Sequence, residues 1–188
     1  MQTTDSVHQE TLIDADAATI FAYLTDADRL TRWMGVSATL EPRPGGLYLV
    51  DVTNGNVARG EFKEVVPVSH LSYSWGWDEG GQLPPGGSLI EIDLIPQGAG
   101  TLVRMTHSGL PAELVATHAK GWAHYYARLA VVAAGGDPGA DPWVKPKKAA
   151  KRSTKKAAAK KTAAKKPALV SGGALPKTTS RRVAGRRR

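Results

Sequence analysis

Two histidines are the most reactive side chains in the sequence. His107 lies near the end of an alternating, strand-like run, and His118 lies on the apolar stripe of the helical run that follows, so the two rings could converge. Such a pair could serve as general acid and base if a substrate came within hydrogen-bond distance. The sequence has no cysteine, however, and no ordered set of serine, histidine and aspartate accompanies the pair. We therefore expect no assembled catalytic site.

The spacings that bind metals or phosphates are also lacking. His118 and His124 are six residues apart on a predicted helix, which puts them on different faces, and no His-Glu-x-x-His sequence occurs. The Gly-Gly pairs of the first hundred residues lie between strand-like runs, without the helix that follows a phosphate-binding loop. We predict no metal and no cofactor.

Aromatic side chains form the second candidate site. Trp75 and Trp77 alternate along one strand-like run, and Trp122 and Tyr125 are separated by about one helical turn. Rings in this arrangement could line a pocket and stack on a flat apolar molecule. They could equally fill the core of a small domain, and the sequence leaves both interpretations open.

The segments that would position these side chains begin with strands. Alternating runs rich in β-branched and aromatic residues, bounded by turn residues, predict seven strands over residues 7–13, 36–40, 47–53, 57–66, 71–77, 88–95 and 101–108. Asn54-Gly55 between two of these runs is a strong β-hairpin signal. Helical spacing between the first two runs predicts two short helices that end at Gly35.

A long helix follows the last strand. Apolar and aromatic residues recur every three or four positions from Leu114 to Val132, and Gly135-Gly136 ends the pattern. One long helix after an antiparallel meander buries its apolar stripe most economically when the sheet curls around it. The sequence therefore predicts an α+β helix-grip fold, in which a curved antiparallel sheet of about seven strands surrounds a long C-terminal helix and leaves a pocket.

Strand alternation predicts which residues face that helix. The predicted inner face consists of Leu71, Tyr73, Trp75, Trp77, Ile90, Ile92, Leu94, Val103, Met105 and His107. The opposite face carries Glu91, Asp93 and Arg104, which indicates contact with solvent. We predict that Glu91 and Arg104 form a surface ion pair across neighbouring strands.

Charge divides the chain into two parts. Residues 1–143 contain eight basic and seventeen acidic residues, a net charge of −9, together with every aromatic residue and every histidine. Residues 144–188 contain seventeen basic residues, no acidic residue and no aromatic residue. Because this Lys/Ala-rich segment has no apolar face to bury, we predict a globular domain over 1–143 and a disordered basic tail over 144–188.

The tail is the expected site of nucleic-acid binding. A dense polycation binds phosphate backbones through counterion release, and a tail without aromatic residues or a recognition helix cannot distinguish base sequences. The residues predicted to contact phosphates are Lys147, Lys148, Lys151, Arg152, Lys155, Lys156, Lys160, Lys161, Lys165, Lys166, Arg181, Arg182, Arg186, Arg187 and Arg188. Attraction to an anionic membrane, or to the acidic domain of the same chain, is an alternative use of this charge.

The sequence also indicates where the protein works. Its first residues lack the basic and apolar regions of a signal peptide, and its longest uninterrupted apolar run covers only residues 129–134. The absence of cysteine fits a reducing compartment. We expect a cytoplasmic protein that is associated with the nucleoid if its tail binds DNA.

Six segments in fixed order resemble the SRPBCC (START-like, helix-grip) superfamily, and within it the branch of activator of heat-shock protein 90 ATPase homologues. The segments are residues 24–33 (LTDADRLTRW), 44–46 (PGG), 60–65 (GEFKEV), 71–75 (LSYSW), 101–110 (TLVRMTHSGL) and His118 with Gly121-Trp122. The resemblance covers about residues 7–134. It implies a hydrophobic cavity between helix and sheet, which the superfamily uses for lipids, polyketides and other small apolar molecules. The tail resembles the Lys/Ala/Pro-rich tails of linker histones and histone-like proteins.

Together these observations predict a non-catalytic domain that binds a small hydrophobic ligand and is tethered to nucleic acid by its tail. The predicted ligand-binding residues are Trp33, Tyr73, Trp75, Trp77, Met105, His107, His118, Trp122 and Tyr125. Two alternatives stay open: an aromatase/cyclase-like enzyme that uses His107, His118 or Tyr125, and a chaperone-associated protein-interaction module. We do not expect chaperone activation to carry over, because the eukaryotic co-chaperone has an additional N-terminal domain for which there is no room before Val7.

Overall fold

The computed structural model describes residues 4–144, which form seven strands and three helices. In chain order the elements are β1 (Thr4–Ile13), α1 (Ala17–Thr25), α2 (Ala27–Leu30), β2 (Ser37–Leu40), β3 (Leu47–Asp51), β4 (Val57–Val66), β5 (His70–Trp75), β6 (Ser88–Gln97), β7 (Gly100–Pro111) and α3 (Ala112–Ala133). The predicted basic tail lies outside the described residues, except for its first residue, Val144.

All seven strands join one antiparallel sheet. The strand order is β1-β7-β6-β5-β4-β3-β2, so every neighbour from β2 to β7 is also a neighbour in sequence, and β1 closes the other edge against β7. Register shifts at Asp5/Val7 interrupt the pairing of β1 with β7 at the sheet edge, and shifts at Phe62/Glu64 interrupt the pairing of β4 with β5 in its interior; such bulges bend a sheet. The curved sheet packs against α3 and confirms the predicted α+β helix-grip fold.

Local sequence signals determine where several elements begin and end. The side chains of Asp16 and Asp26 each accept a hydrogen bond from a backbone N–H in the first turn of the helix that follows, at 2.6 and 2.9 Å. Asn54 and Gly55 both have positive φ angles, 58° and 128°, as the predicted tight hairpin requires. Strand β7 leads into α3 without a loop, so the end of the sheet positions the start of the helix.

Several strand ends differ from the sequence prediction by two or three residues, and those of β5 and β7 lie beside the helix α3 or the cavity. Strand β5 ends at Trp75 because the backbone N–H of Trp77 donates to the carbonyl of Leu83, within the loop that follows, at 2.8 Å. Trp77 instead forms an isolated bridge with Ala58. Strand β7 continues to Pro111, beyond the predicted end at Ser108, because its last residues pair with the start of β1.

The predicted ion pair between Glu91 and Arg104 is wrong. The register between β6 and β7 places Thr106 opposite Glu91, and Arg104 lies beside β1, where its Nε atom donates to Glu10 Oε1 at 2.8 Å. The prediction that these side chains are on the outer face is confirmed, since Glu91 and Arg104 are both exposed. Alternation along a strand determines which face of the sheet a side chain is on. Its neighbour on the next strand depends on the register between the two strands, which the sequence did not determine.

The core lies between the concave face of the sheet and α3. Every predicted inner-face residue except Trp77 is buried, and Trp77 is half-buried. The helix contributes Trp122, Tyr125, Tyr126, Leu129 and Val132. No helix within the described residues is long and apolar enough to cross a membrane.

Candidate functional site

A cavity of about 330 Å³ lies between the first half of α3, the end of β5 and the β3–β4 hairpin. Its wall includes five of the predicted ligand-binding residues: Trp75, Trp77, His118, Trp122 and Tyr125. The wall is completed by Met34, Val52, Thr53, Asn56, Leu114, Thr117, Gly121 and Trp143. Among residues 4–144, no Asp, Glu, Lys or Arg side chain lines it.

The structure places the other four predicted residues behind this wall. Trp33, Tyr73, Met105 and His107 are buried in the core and are not part of the cavity surface. The sequence predicted their inward orientation correctly, but inward orientation places a side chain in the core as readily as in the cavity. Contact between these four residues and a ligand would require the wall to move.

Three of the four tryptophans in the wall pack against one another. The ring of Trp75 packs edge-on against Trp77 and Trp122, with centroid separations of 5.6 and 5.3 Å. Edge-to-face packing of this kind holds large rings in fixed orientations. The floor of the cavity is therefore a rigid apolar surface, to which the helix contributes Trp122 and the sheet contributes Trp75.

The segment after α3 supplies a wall residue that the sequence analysis missed. Trp143 stacks on His124 at a centroid separation of 3.9 Å, and the preceding Asp141 accepts a hydrogen bond from His124 Nε2 at 3.0 Å. Arg128 holds the same segment against the helix by donating to the carbonyls of Pro138 and Gly139. Because Trp143 follows a Gly/Pro-rich stretch without periodicity, no sequence pattern indicated that it would return to the cavity.

His107 is a fully paired, neutral histidine. The indole N–H of Trp122 donates to its Nδ1 atom at 2.9 Å, so the ring proton is on Nε2. Nε2–H donates to Ser88 Oγ at 2.8 Å, and the Ser88 hydroxyl in turn donates to the carbonyl of Trp75 at 3.0 Å. Burial, with a smaller contribution from His118, lowers the pKa of His107 to about 3. The ring therefore has no free nitrogen and no accessible proton at neutral pH.

His118 has the opposite arrangement. Its Nδ1 atom lies 2.9 Å from the carbonyl oxygen of Leu114, which can only accept, so Nδ1 carries the proton. Nε2 is then an acceptor, and it is buried without a hydrogen-bond partner among the described residues. Burial lowers the pKa of His118 from its usual value, and the bond to Leu114 opposes this shift. The predicted convergence of the two histidines is present, with ring centroids 5.2 Å apart.

A second cavity, of about 450 Å³, adjoins the first. It is lined by the Gly-rich loop after β5 and by the hairpin between β3 and β4, and it shares Trp77 and Asn56 with the apolar cavity. Trp77 thus has space on two sides. Within residues 4–144, no group of three or more His, Asp or Glu side chains could hold a metal ion.

Solved structures that resemble this chain include both close and distant relatives. An AHSA1-like protein from Rhizobium etli, solved by solution NMR, is 55% identical, with 77% of this chain and 91% of that chain covered and a TM-score of 0.62. CalU16 from Micromonospora echinospora is 23% identical over 72% of this chain and 78% of its own, with a TM-score of 0.59. Aha1 from Colwellia psychrerythraea, solved as a dimer, is 20% identical over 70% and 98%, with a TM-score of 0.62. The two distant structures show a common fold and nothing more.

Sequence comparison identifies the family. No curated protein matches the chain significantly. The sequence profile for Activator of Hsp90 ATPase homolog 1-like protein matches residues 14–134, which run from the end of β1 to the end of α3 and so include the cavity except for Trp143. With the 55% identity to the Rhizobium etli protein, this match shows that the chain belongs to the family of Activator of Hsp90 ATPase homolog 1-like proteins.

Proposed function

We propose that the globular domain binds a small, predominantly apolar molecule in the cavity beside α3. The supporting observation is the wall itself, which combines four tryptophans and a tyrosine with no charged side chain. A volume of about 330 Å³ is at the lower end of the range for small-molecule sites. A compact ligand of one or two fused rings fits this volume better than a long acyl chain.

The state of the histidines favours a binding role over catalysis. His107, one of three residues considered for an aromatase/cyclase-like reaction, has both ring nitrogens engaged and holds no proton that a substrate could reach. A general base must come within hydrogen-bond distance of the proton that it removes. The enzyme alternative therefore depends on His118 and Tyr125. The carboxylate of Asp141 lies beside the Tyr125 hydroxyl, but among the described residues no carboxylate lines the cavity near His118.

Filling the cavity from the helix tests this proposal. A Cβ atom added at Gly121 meets no other atom within 4 Å, and Gly121 lines the cavity, so Gly121→Leu should occupy the site without disturbing the helix. We expect wild type to bind the neutral fluorescent probe N-phenyl-1-naphthylamine saturably and Gly121→Leu to bind it at least about tenfold more weakly, a loss of about 1.4 kcal/mol.

The matched control for this experiment is Ala123→Leu, which adds the same side chain at an exposed position of the same helix. Its affinity for the probe should equal that of wild type. Equal binding by wild type and Gly121→Leu would refute the assignment of the ligand to this cavity. Both variants should retain the helical circular-dichroism signal of wild type.

We further propose that the basic tail tethers the domain to nucleic acid without sequence preference, which would place the protein at the nucleoid. The support comes from the sequence: seventeen basic and no acidic residues lie after Trp143. If about ten phosphates are contacted, the plot of log K against log salt concentration for duplex DNA should have a slope of about −9.

Comparing the full chain with a chain that ends at Val144 tests the tail. We expect the steep salt dependence only in the full chain, on random-sequence duplexes and homopolymers alike. DNA affinity that survives removal of residues 145–188 would refute the proposal. Tighter binding to anionic vesicles than to DNA at the same salt concentration would transfer the role of the tail to membranes.

A further inference from the structure

Three residues of the cavity wall each carry a buried polar atom that has no hydrogen-bond partner among residues 4–144. The atoms are Nε2 of His118, the indole Nε1 of Trp75 and the hydroxyl oxygen of Tyr125. Native interiors contain few such atoms, because a buried group that leaves water without finding a partner destabilises the fold. The Tyr125 hydroxyl has the Asp141 carboxylate beside it, so His118 Nε2 and Trp75 Nε1 are the two groups that a ligand would have to satisfy.

The chemical character of each atom is fixed. His118 donates through Nδ1 to the Leu114 carbonyl, so Nε2 offers a lone pair and can only accept. The indole nitrogen of Trp75 carries a hydrogen and can only donate. The wall therefore offers one acceptor and one donor, on rings that both pack against His107, with centroid separations of 5.2 and 6.1 Å.

The neighbouring polar groups cannot serve these two atoms. His107 lies between them, but Trp122 and Ser88 already occupy both of its nitrogens. Thr117, which precedes His118 on the helix, is exposed, and neither it nor Tyr125 forms a hydrogen bond with His118 Nε2. The partner of His118 Nε2 must therefore come from outside the described part of the chain.

Trp77 lies beside this acceptor. Its ring centroid is 6.3 Å from that of His118, and His118 Nε2 has almost no exposed surface. A ligand has to displace a ring of the wall to reach Nε2. Trp77 is half-buried and borders both cavities, so it is the ring of the wall with open space on two sides.

We propose that the ligand is a neutral, planar aromatic compound with a hydroxyl group, whose O–H donates to His118 Nε2 while its oxygen can accept from the Trp75 indole. This inference rests on the proposed function and specifies its ligand class. A carboxylate is disfavoured because its lone pairs would face the lone pair of His118, in a wall without a cation. A hydrocarbon of the same shape leaves both polar atoms without a partner.

Three naphthalene derivatives test the proposal on the full chain. 2-Naphthol can donate and accept, 2-methoxynaphthalene can only accept, and naphthalene can do neither. We expect wild type to bind 2-naphthol about tenfold more tightly than 2-methoxynaphthalene, as measured by NMR titration at pH 7. The ring ¹⁵N resonance of His118 Nε2 should shift on binding 2-naphthol and stay unchanged with naphthalene.

Variants at the helix assign the preference to one atom. His118→Phe keeps a ring but removes the acceptor, so the preference for 2-naphthol should disappear. His118→Gln keeps an acceptor and should restore part of it, and Ala123→Leu, at an exposed position of the same helix outside the cavity wall, should leave it unchanged. A preference that persists in His118→Phe would overturn the proposal.

The outcomes separate this inference from the proposed function. Binding of all three compounds with equal affinity would refute the hydroxyl preference and leave the apolar site intact. Failure of all three to bind would refute both proposals. A wild-type preference without any change in the His118 ¹⁵N resonance would also overturn the role of His118.

Discussion

Mild acid should destabilise the fold through His107. This ring is completely buried, accepts from Trp122 and donates to Ser88, so protonation would add a proton to a nitrogen that already accepts a hydrogen bond. Burial and the neighbouring His118 lower the pKa of His107 from the 6.5 of an unfolded chain to about 3. Between these two values the unfolded state binds a proton that the folded state does not bind.

The sign and size of the effect follow from linkage. Because the unfolded state binds more protons, the free energy of unfolding rises with pH between about 3 and 6.5 and falls as pH decreases through this interval. Each pH unit well below 6.5 costs about 1.4 kcal/mol, so acidification from pH 7 to pH 5 should remove about 2 kcal/mol through His107 alone. The lowered pKa of His118 acts in the same direction.

Urea unfolding monitored by tryptophan fluorescence at pH 7, 6 and 5 would measure this loss. Carboxylates also titrate toward pH 5, so wild type must be compared with His107→Gln, which has the same carboxylates. The difference in unfolding free energy between the two proteins should shrink by about 2 kcal/mol from pH 7 to pH 5. His8→Gln, which removes an exposed histidine, should follow wild type. Parallel pH dependences for wild type and His107→Gln would refute the reasoning.

Four further substitutions probe the surroundings of the site. Ser88→Ala removes the acceptor of His107 Nε2–H, and should lower the unfolding free energy by about 1–3 kcal/mol in urea titrations. In calorimetry, Gly60→Ala should lower the melting temperature sharply, because its Cβ would overlap a carbonyl oxygen of the adjacent strand. Gly121→Ala, with open space around the new Cβ, should instead raise the unfolding free energy by about 0.5–1 kcal/mol. Similar effects of both substitutions would contradict the structure. Arg128→Met removes hydrogen bonds to three backbone carbonyls, so limited proteolysis should cleave within residues 135–144 earlier than in wild type.

The fold could be predicted because its elements have strong local signals. The two-residue alternation of the strands, the Asn54-Gly55 turn and the helical spacing from Leu114 to Val132 each depend on neighbouring residues, and all three are confirmed. The predictions were wrong where the structure depends on contacts that the sequence pattern does not show. Trp77 continues the alternation of β5, yet a hydrogen bond to the loop carbonyl of Leu83 takes it out of the strand and into the cavity wall.

The site could be predicted only in part. A periodic pattern shows which face of the sheet a side chain is on, but not whether that side chain lines the cavity or lies in the core behind it. Trp75 and Tyr73 alternate on the same face of β5, but only Trp75 is part of the cavity surface. The ring of Tyr73 stacks on the ring of Tyr48 of β3, with centroids 4.1 Å apart. Tyr48 therefore occupies the space beside Tyr73. Trp143 was missed for a different reason. Its position depends on the hydrogen bonds that Arg128 and Asp141 form between α3 and the segment after it. Trp143 lies outside the helical spacing that ends at Val132, so no periodic pattern includes it.

The two histidines show why chemistry could not be assigned from spacing. Both were expected to face the helix–sheet interface, and their rings are 5.2 Å apart. Trp122 forces the proton of His107 onto Nε2, where Ser88 accepts it, whereas the helix carbonyl of Leu114 holds the proton of His118 on Nδ1. The same side chain is thus a saturated core residue in one place and an unused acceptor in the other. Only His118 lines the cavity, so the hydroxyl recognition that we propose rests on the histidine whose own helix determines its tautomer.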